Sequence, residues 1–139
     1  MANLPEKNFQ KIVRKPWGRE ILYVPENLER VGKILFIDAN KRLSLQRHSE
    51  KEETLCLFSG KSLLWLGKDR DSLKKIKMEP YSGYTIEPGT LHRIESLEDS
   101  VILEVSSPEK GTTFRVEDDF GRPDETEKLR LQPNRGWNS

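Results

Sequence analysis

The sequence predicts an all-β domain, a sandwich or a closed barrel, and two observations carry that prediction. Short runs of β-branched, aromatic and leucine residues recur along the interior of the chain, separated every eight to twelve positions or so by Gly, Pro, Asn, Asp or Lys clusters. Sustained helical periodicity is missing, except in Asp124–Leu131, where Glu and Lys alternate. The runs place strands near Arg19–Val24, Val31–Ile37, Arg42–His48, Glu53–Phe58, Lys61–Leu66, Leu73–Met78, Tyr84–Ile86, Leu91–Ile94, Val101–Ser106 and Thr113–Val116.

The connections follow from their own residues. Ser59-Gly60 between two apolar runs predicts a tight hairpin, because glycine supplies the positive φ such turns demand. The run from Lys68 to Ser72 reads as a solvated loop. Met1–Gln10 is polar and expected to be mobile, and Pro123–Ser139 reads as a frayed tail, with Trp137 available to dock on a neighbouring surface. The chain thus divides into an arm (1–14), one β domain (15–122) and a polar tail (123–139).

Composition narrows the function classes. A chain of 139 residues buries enough surface for one core without disulfide or metal staples. The net charge is +1, with both signs interspersed, so neither nucleic acid nor an anionic membrane is an expected partner. Cys56 is the only cysteine, and there is neither a signal-peptide core nor an apolar run of membrane-spanning length. A cytoplasmic protein is the expectation. Alternation also sets Cys56 on the opposite face from Glu53, with the core between sheets, which argues against a nucleophile.

One strand carries an unusual face. Alternation puts Arg42, Ser44, Gln46 and His48 on one side and Leu43, Leu45 and Arg47 on the other. A polar row facing inward is costly unless it is paired, hydrated or bound to something. Glu53 opens the next strand and meets Gln46 and His48 if the two strands pair antiparallel; His92 follows the Pro88-Gly89 turn. Two imidazoles, a carboxylate and an amide oxygen suit Zn, Fe, Mn, Co or Ni better than Ca or Cu(I). Taken singly, either histidine also reads as an ordinary half-exposed strand residue.

The spacing of these residues resembles the cupin pattern, whose first motif is Gly, five residues, His-x-His, three or four residues, Glu, six residues, Gly. Here Asn40 stands at the first glycine, Gln46 at the first histidine, and His48, Glu53 and Gly60 fall in register. Asparagine tolerates the left-handed turn conformation nearly as well as glycine. In the second motif Pro88-Gly89-Thr90-Leu91-His92 keeps Gly and His, moves the proline by one and has Ser96 in place of Asn. The resemblance implies a double-stranded β-helix, the cupin or jelly-roll barrel.

The wording around the motifs resembles the C-terminal cupin domain of type II mannose-6-phosphate isomerases. It runs in one order through Lys15-Pro16-Trp17-Gly18, Arg42-Leu43-Ser44-Leu45-Gln46-x-His48, Pro88 to Arg93, Leu103-Glu104-Val105 and Arg115 to Arg122. Additional histidines common after His48 in that family are replaced by Ser49 and Glu50. No Gly-rich nucleotide loop is present, so nucleotide-sugar synthesis is not expected.

The resemblance implies a sugar-phosphate isomerase with a divalent metal, zinc first and Mn, Ni, Co or Fe as alternatives, on Gln46, His48, Glu53 and His92. Aldose-ketose interconversion also needs a base. Glu104, which interrupts the apolar run Val101–Val105 and matches the family's Leu/Ile-Glu-Val phrase, is the candidate; an outward-facing surface glutamate is the other reading. Arg42 is a catalytic and phosphate-binding candidate, with Lys33, Arg115 and Arg122 as further phosphate anchors. Trp17 walls the pocket or staples the N-terminal segment. A homodimer through a sheet edge is expected by analogy. Two other classes stay open: a metal-free or non-catalytic sugar-binding cupin, and another metal-cupin activity such as an iron oxygenase.

Overall fold

The computed structural model describes residues 8–138, and the first seven residues of the expected mobile arm lie outside them. Among the described residues eleven strands build the domain. They are β1 (Lys11–Lys15), β2 (Gly18–Leu22), β3 (Val31–Ile37), β4 (Leu45–His48), β5 (Glu53–Ser59), β6 (Ser62–Gly67), β7 (Lys74–Lys77), β8 (Gly83–Ile86), β9 (Leu91–Ser96), β10 (Ser100–Ser106) and β11 (Thr113–Glu117). One helical turn, α1 (Glu127–Arg130), falls inside the expected helical segment.

Two antiparallel sheets face each other, ordered β1-β2-β3-β10-β5-β8 and β11-β4-β9-β6-β7. This is the jelly-roll barrel. The strand missed by the sequence reading is β1, whose Lys-rich composition hides it; it pairs with β2 from Lys11↔Leu22 to Lys15↔Gly18. The predicted arm (1–14) therefore contains part of a strand.

Alternation along each strand builds an interior with two halves. Lys33, Leu35 and Ile37 are buried on β3, Glu53, Leu55 and Leu57 on β5, and Ile102, Glu104 and Ser106 on β10. The antiparallel register sets Glu104 beside Lys33 and Leu55, and Ile102 beside Leu35 and Leu57. Charged residues therefore collect in one half of the barrel. Trp17, Leu35, Ile37, Leu55, Leu57, Leu64, Met78, Ile86, Ile94 and Ile102 fill the other. Each fully buried aliphatic side chain there contributes about 1.5–3 kcal/mol.

Four local expectations are corrected. Ser59-Gly60 does form a turn, with Gly60 at φ 93, but β5 and β6 belong to different sheets, so it is a crossover and not a hairpin. β4 does not pair with β5 either; it pairs with β11 and β9. Cys56 lies on the outer side of β5, half-buried, while Leu55 and Leu57 hold the core. The frayed tail is folded: Glu125 bridges to Thr113, Arg135 is buried, and Trp137 meets Phe120 edge-on at 6.4 Å. Charges in the barrel give the tail its partners, which is why its polarity misled.

Among the described residues no helix is long and apolar enough to cross a membrane.

Candidate metal centre

Asn40 adopts φ 63, the left-handed conformation required at the start of the first motif, and its N–H donates to Ser96 O at 2.8 Å. From that turn the chain enters β4, which carries Gln46 and His48 inward. Gln46 lies directly opposite His92 on β9. Glu53 comes from the facing sheet, so the cluster forms across the barrel and not along one hairpin.

His48, Glu53 and His92 are all buried, and one donor atom from each lies within 4.8 Å of the others. His48 Nε2 is 3.1 Å and His92 Nε2 is 2.8 Å from Glu53 Oε1. The outer nitrogens are held as well: His92 Nδ1 donates to Thr90 O at 2.9 Å, and His48 Nδ1 is 2.9 Å from Thr113 Oγ1. A carbonyl can only accept, so His92 Nδ1 carries a proton, and in the neutral ring Nε2 presents its lone pair inward. His92 Nε2 is buried and has no hydrogen-bond partner. That orphaned atom, beside a carboxylate oxygen and a second imidazole, fits a divalent transition metal.

Electrostatics prepare the same state. Burial lowers the His48 pKa against the pull of Glu53, which favours the neutral, ligating imidazole. Burial alone raises the Glu53 carboxyl, but the Lys51 ammonium overcomes it and holds the group well below the usual carboxylate range. Gln46 lines the same cavity, and its Oε1 accepts the Ser44 hydroxyl at 2.7 Å.

Glu104 faces inward and is buried, so the outward-facing alternative is excluded. Its Oε2 accepts from Lys51 Nζ at 3.0 Å, and the same ammonium lies 3.4 Å from Glu53 Oε2 and 3.8 Å from Glu109. One ammonium is thus shared by three carboxylates. Lys51 gains, its pKa held well above the ordinary value despite burial. Glu104 loses: burial pushes its carboxyl up to about 7 against the pull of Lys51, with Glu53 adding to the rise.

The phosphate-anchor candidates separate. Lys33, Arg115 and Arg122 line the interior cavity together with Trp17, which is also part of the core. Each of the three is already paired: Lys33 with Glu109 at 3.0 Å, Arg115 with Glu125 at 3.2 Å, and Arg122 with Asp118 at 3.0 Å. Arg42 is not on the inward face. Its guanidinium grips Asp119 at 2.6 and 2.8 Å and lies 5.7 Å from the Trp65 ring, because Arg42 precedes β4, which begins only at Leu45. Its assignment as a catalytic residue at the interior is therefore corrected.

Sequence reasoning missed Lys15, Glu20, Lys51, Glu109, Glu125 and Arg135, which complete the cavity wall. Glu20 carried a usable signal, a charge on the same strand face as Leu22. The tail residues carried none, since nothing local distinguishes a buried Glu125 or Arg135 from a solvated one.

No protein-family model matches the chain, and no curated protein does. Solved structures share its fold. KdgF from a Halomonas species is 17% identical, with 68% of this chain and 81% of that one aligned at a TM-score of 0.58. The capsular polysaccharide assembling protein CapF from Staphylococcus aureus is 12% identical over 86% of this chain and 32% of its own, at a TM-score of 0.64. Oxalate decarboxylase from Lactobacillus farciminis is 14% identical over 78% of this chain and 35% of its own, at 0.62. The chain thus spans about a third of the last two. At such identities the likeness is one of fold, the cupin-type barrel. The isomerase resemblance rests on the sequence phrases alone.

Proposed function

We propose that this barrel is a metal-dependent aldose-ketose isomerase acting on a sugar phosphate of the mannose 6-phosphate/fructose 6-phosphate type. The observation that carries the reading is that Lys51 links Glu53 of the metal cluster to Glu104, at 3.4 and 3.0 Å, inside one cavity. A ligand site and an acid-base group thereby share one enclosure.

His48, Glu53 and His92 would hold a divalent metal, with the Gln46 amide oxygen as the fourth ligand, its second lone pair left free by the Ser44 hydroxyl. When bound, the metal supplies Lewis-acid polarisation of a carbonyl oxygen. Glu104 takes the proton from C2, next to that carbonyl, and returns it to C1, while the O2 hydroxyl proton passes to O1. A carboxyl near pH 7 is well matched to both directions of transfer. Lys51 holds Glu104 in place, and its charge favours the ionised base before proton uptake. Apolar residues below the cluster, Leu35 and Leu43 among them, exclude water from the reacting carbons.

The test is conversion of mannose 6-phosphate to fructose 6-phosphate by protein loaded in turn with Zn, Mn, Ni, Co and Fe. Turnover that Glu104→Gln abolishes while the metal is retained supports the reading. Absence of conversion with every metal overturns it.

A second reading, a sugar-binding or inactive barrel, draws on one observation. The interior cavity is only ≈ 50 Å³, and its cations are matched by carboxylates of the chain itself. Binding of the sugar without turnover would select it.

A further inference from the structure

Outside the ion-paired interior lies a larger groove of ≈ 430 Å³, formed by the segment after β2, the 108–110 loop and α1. Apolar Leu22, Val24 and Val31 line it beside the cations Arg30, Lys110 and Arg130. Its carboxylates are engaged: Glu26 with Lys11 at 2.9 Å, Glu127 with the Gly111 N–H at 2.9 Å, and Glu109 with Arg135 at 2.8 Å. Arg130 is held by Glu125 and by the carbonyls of Glu109 and Gly111. Arg30 and Lys110 form no ion pair among the described residues.

Among the described residues only Glu109 and Arg135 line both the groove and the interior cavity. Their ion pair lies where the two spaces adjoin, one with room for a hexose phosphate and the other for little more than water. Arg135 reaches this position through an unusual backbone. Asn134 and Arg135 are consecutive non-glycine residues in the left-handed region, at φ 49 and 53, followed by Gly136 at φ 86. Such strain persists where the surroundings over-determine it and is drawn to ligand clamps and switches. Arg135 is 6% exposed, and its Nε is buried without a hydrogen-bond partner, 3.7 Å from an equally unpartnered Glu20 Oε1.

We propose that this groove is the binding site for a phosphomonoester group, held by Arg30, Lys110 and Arg135, with Arg135 as the gate to the interior. An arriving phosphate takes the guanidinium of Arg135 in place of Glu109. Glu109 is not orphaned by the exchange, because Lys33 at 3.0 Å and Lys51 at 3.8 Å remain beside it. The partition opens where the ion pair separates, and the unphosphorylated end of the ligand faces Lys51, Glu53 and Glu104. The inference rests on the proposed function in taking that cluster as the reacting end, and it moves the phosphate anchor away from Lys33, Arg115 and Arg122.

The test is calorimetric titration of metal-loaded protein with inorganic phosphate, mannose 6-phosphate and mannose, for the wild type, Arg30→Ala/Lys110→Ala and Arg135→Gln. Both phosphorylated probes are expected to bind the wild type. Each variant should bind them at least about tenfold more weakly, with metal content unchanged. The double variant alters exposed side chains and decides the matter if Arg135→Gln does not fold. Equal phosphate affinity in the folded double variant, or no binding of either phosphorylated probe to the wild type, overturns the inference. Groove-dependent binding without turnover by any metal form leaves the groove standing and removes the isomerase. Turnover indifferent to the groove variants does the reverse.

Discussion

His92 Nε2 lies 2.8 Å from Glu53 Oε1 and forms no hydrogen bond with it. In the neutral ring these two atoms are acceptors facing one point. The Thr90 carbonyl fixes the relationship by claiming the proton on Nδ1. Unrelieved, that contact costs energy, and a cation between the two atoms, whether a proton or a metal ion, removes the cost.

A divalent metal should therefore stabilise the fold. At a hundredfold excess over Kd, linkage raises the unfolding free energy by about 2.7 kcal/mol. The increment is expected in the wild type and not in His92→Ala, read as the Tm shift on adding Zn or Mn. Affinity should fall with decreasing pH, because the imidazoles must be neutral to bind. A His92→Ala protein with an undiminished shift would place the ion elsewhere.

Glu104 predicts a pH signature of its own. Its carboxyl is raised to about 7 from an ordinary value of 4.5, so the folded chain holds the proton more tightly than the unfolded one. The stability this contributes is fully present below pH 4.5 and is lost as pH rises through 7, about 3 kcal/mol in all. Glu53 and Glu109 act in the opposite sense, and in another window, because their lowered pKa values remove stability as pH falls below 4.5. Urea unfolding of metal-free protein should show the first slope in the wild type and its absence in Glu104→Gln. In the isomerase assay the same substitution should cost roughly a hundredfold to ten-thousandfold, and wild-type kcat/KM should rise as pH passes through 7.

What was legible in the sequence tracks what is local. Ten of the eleven strands declared themselves through apolar runs, and His48, Glu53 and His92 through spacing, because turn geometry and period-two alternation act within a few residues. Partner identity was not legible. β4 and β5 follow each other in sequence yet lie in different sheets, since a jelly roll wraps consecutive strands across the barrel. Arg42 was misplaced because alternation was extended past the start of β4. Burial of Glu125 and Arg135 depends on charges from Lys15, Glu20 and Glu109, which only the folded chain brings together.

The two motif turns should differ in tolerance. At Gly60 a Cβ would lie 2.4 Å from Asp99 O, with φ at 93, so Gly60→Ala combines strain with a clash against backbone. It should cost at least about 2 kcal/mol. Asn40, at φ 63, already bears a side chain. Asn40→Ala should cost roughly 1–2 kcal/mol and Asn40→Gly less than about half of that, measured by chemical denaturation. Equal losses for the two Asn40 substitutions would show that its side chain, and not its φ, sets the preference.

The tail tests whether the interior charges act as one unit. Glu125 lies 3.2 Å from Arg115, 3.0 Å from Arg130, 3.3 Å from Arg135 and 3.8 Å from Lys15. Glu125→Ala strands those cations in a buried site and should cost about 3–5 kcal/mol. Arg135→Ala should cost a similar amount, by leaving Glu20, Glu109 and Glu125 with fewer partners. The double variant removes one charge of each sign, so its cost should fall short of the sum of the singles by about 1–3 kcal/mol. Strict additivity in urea unfolding would mean that each side chain is held independently, and that Arg135 is not bound to the barrel through Glu125.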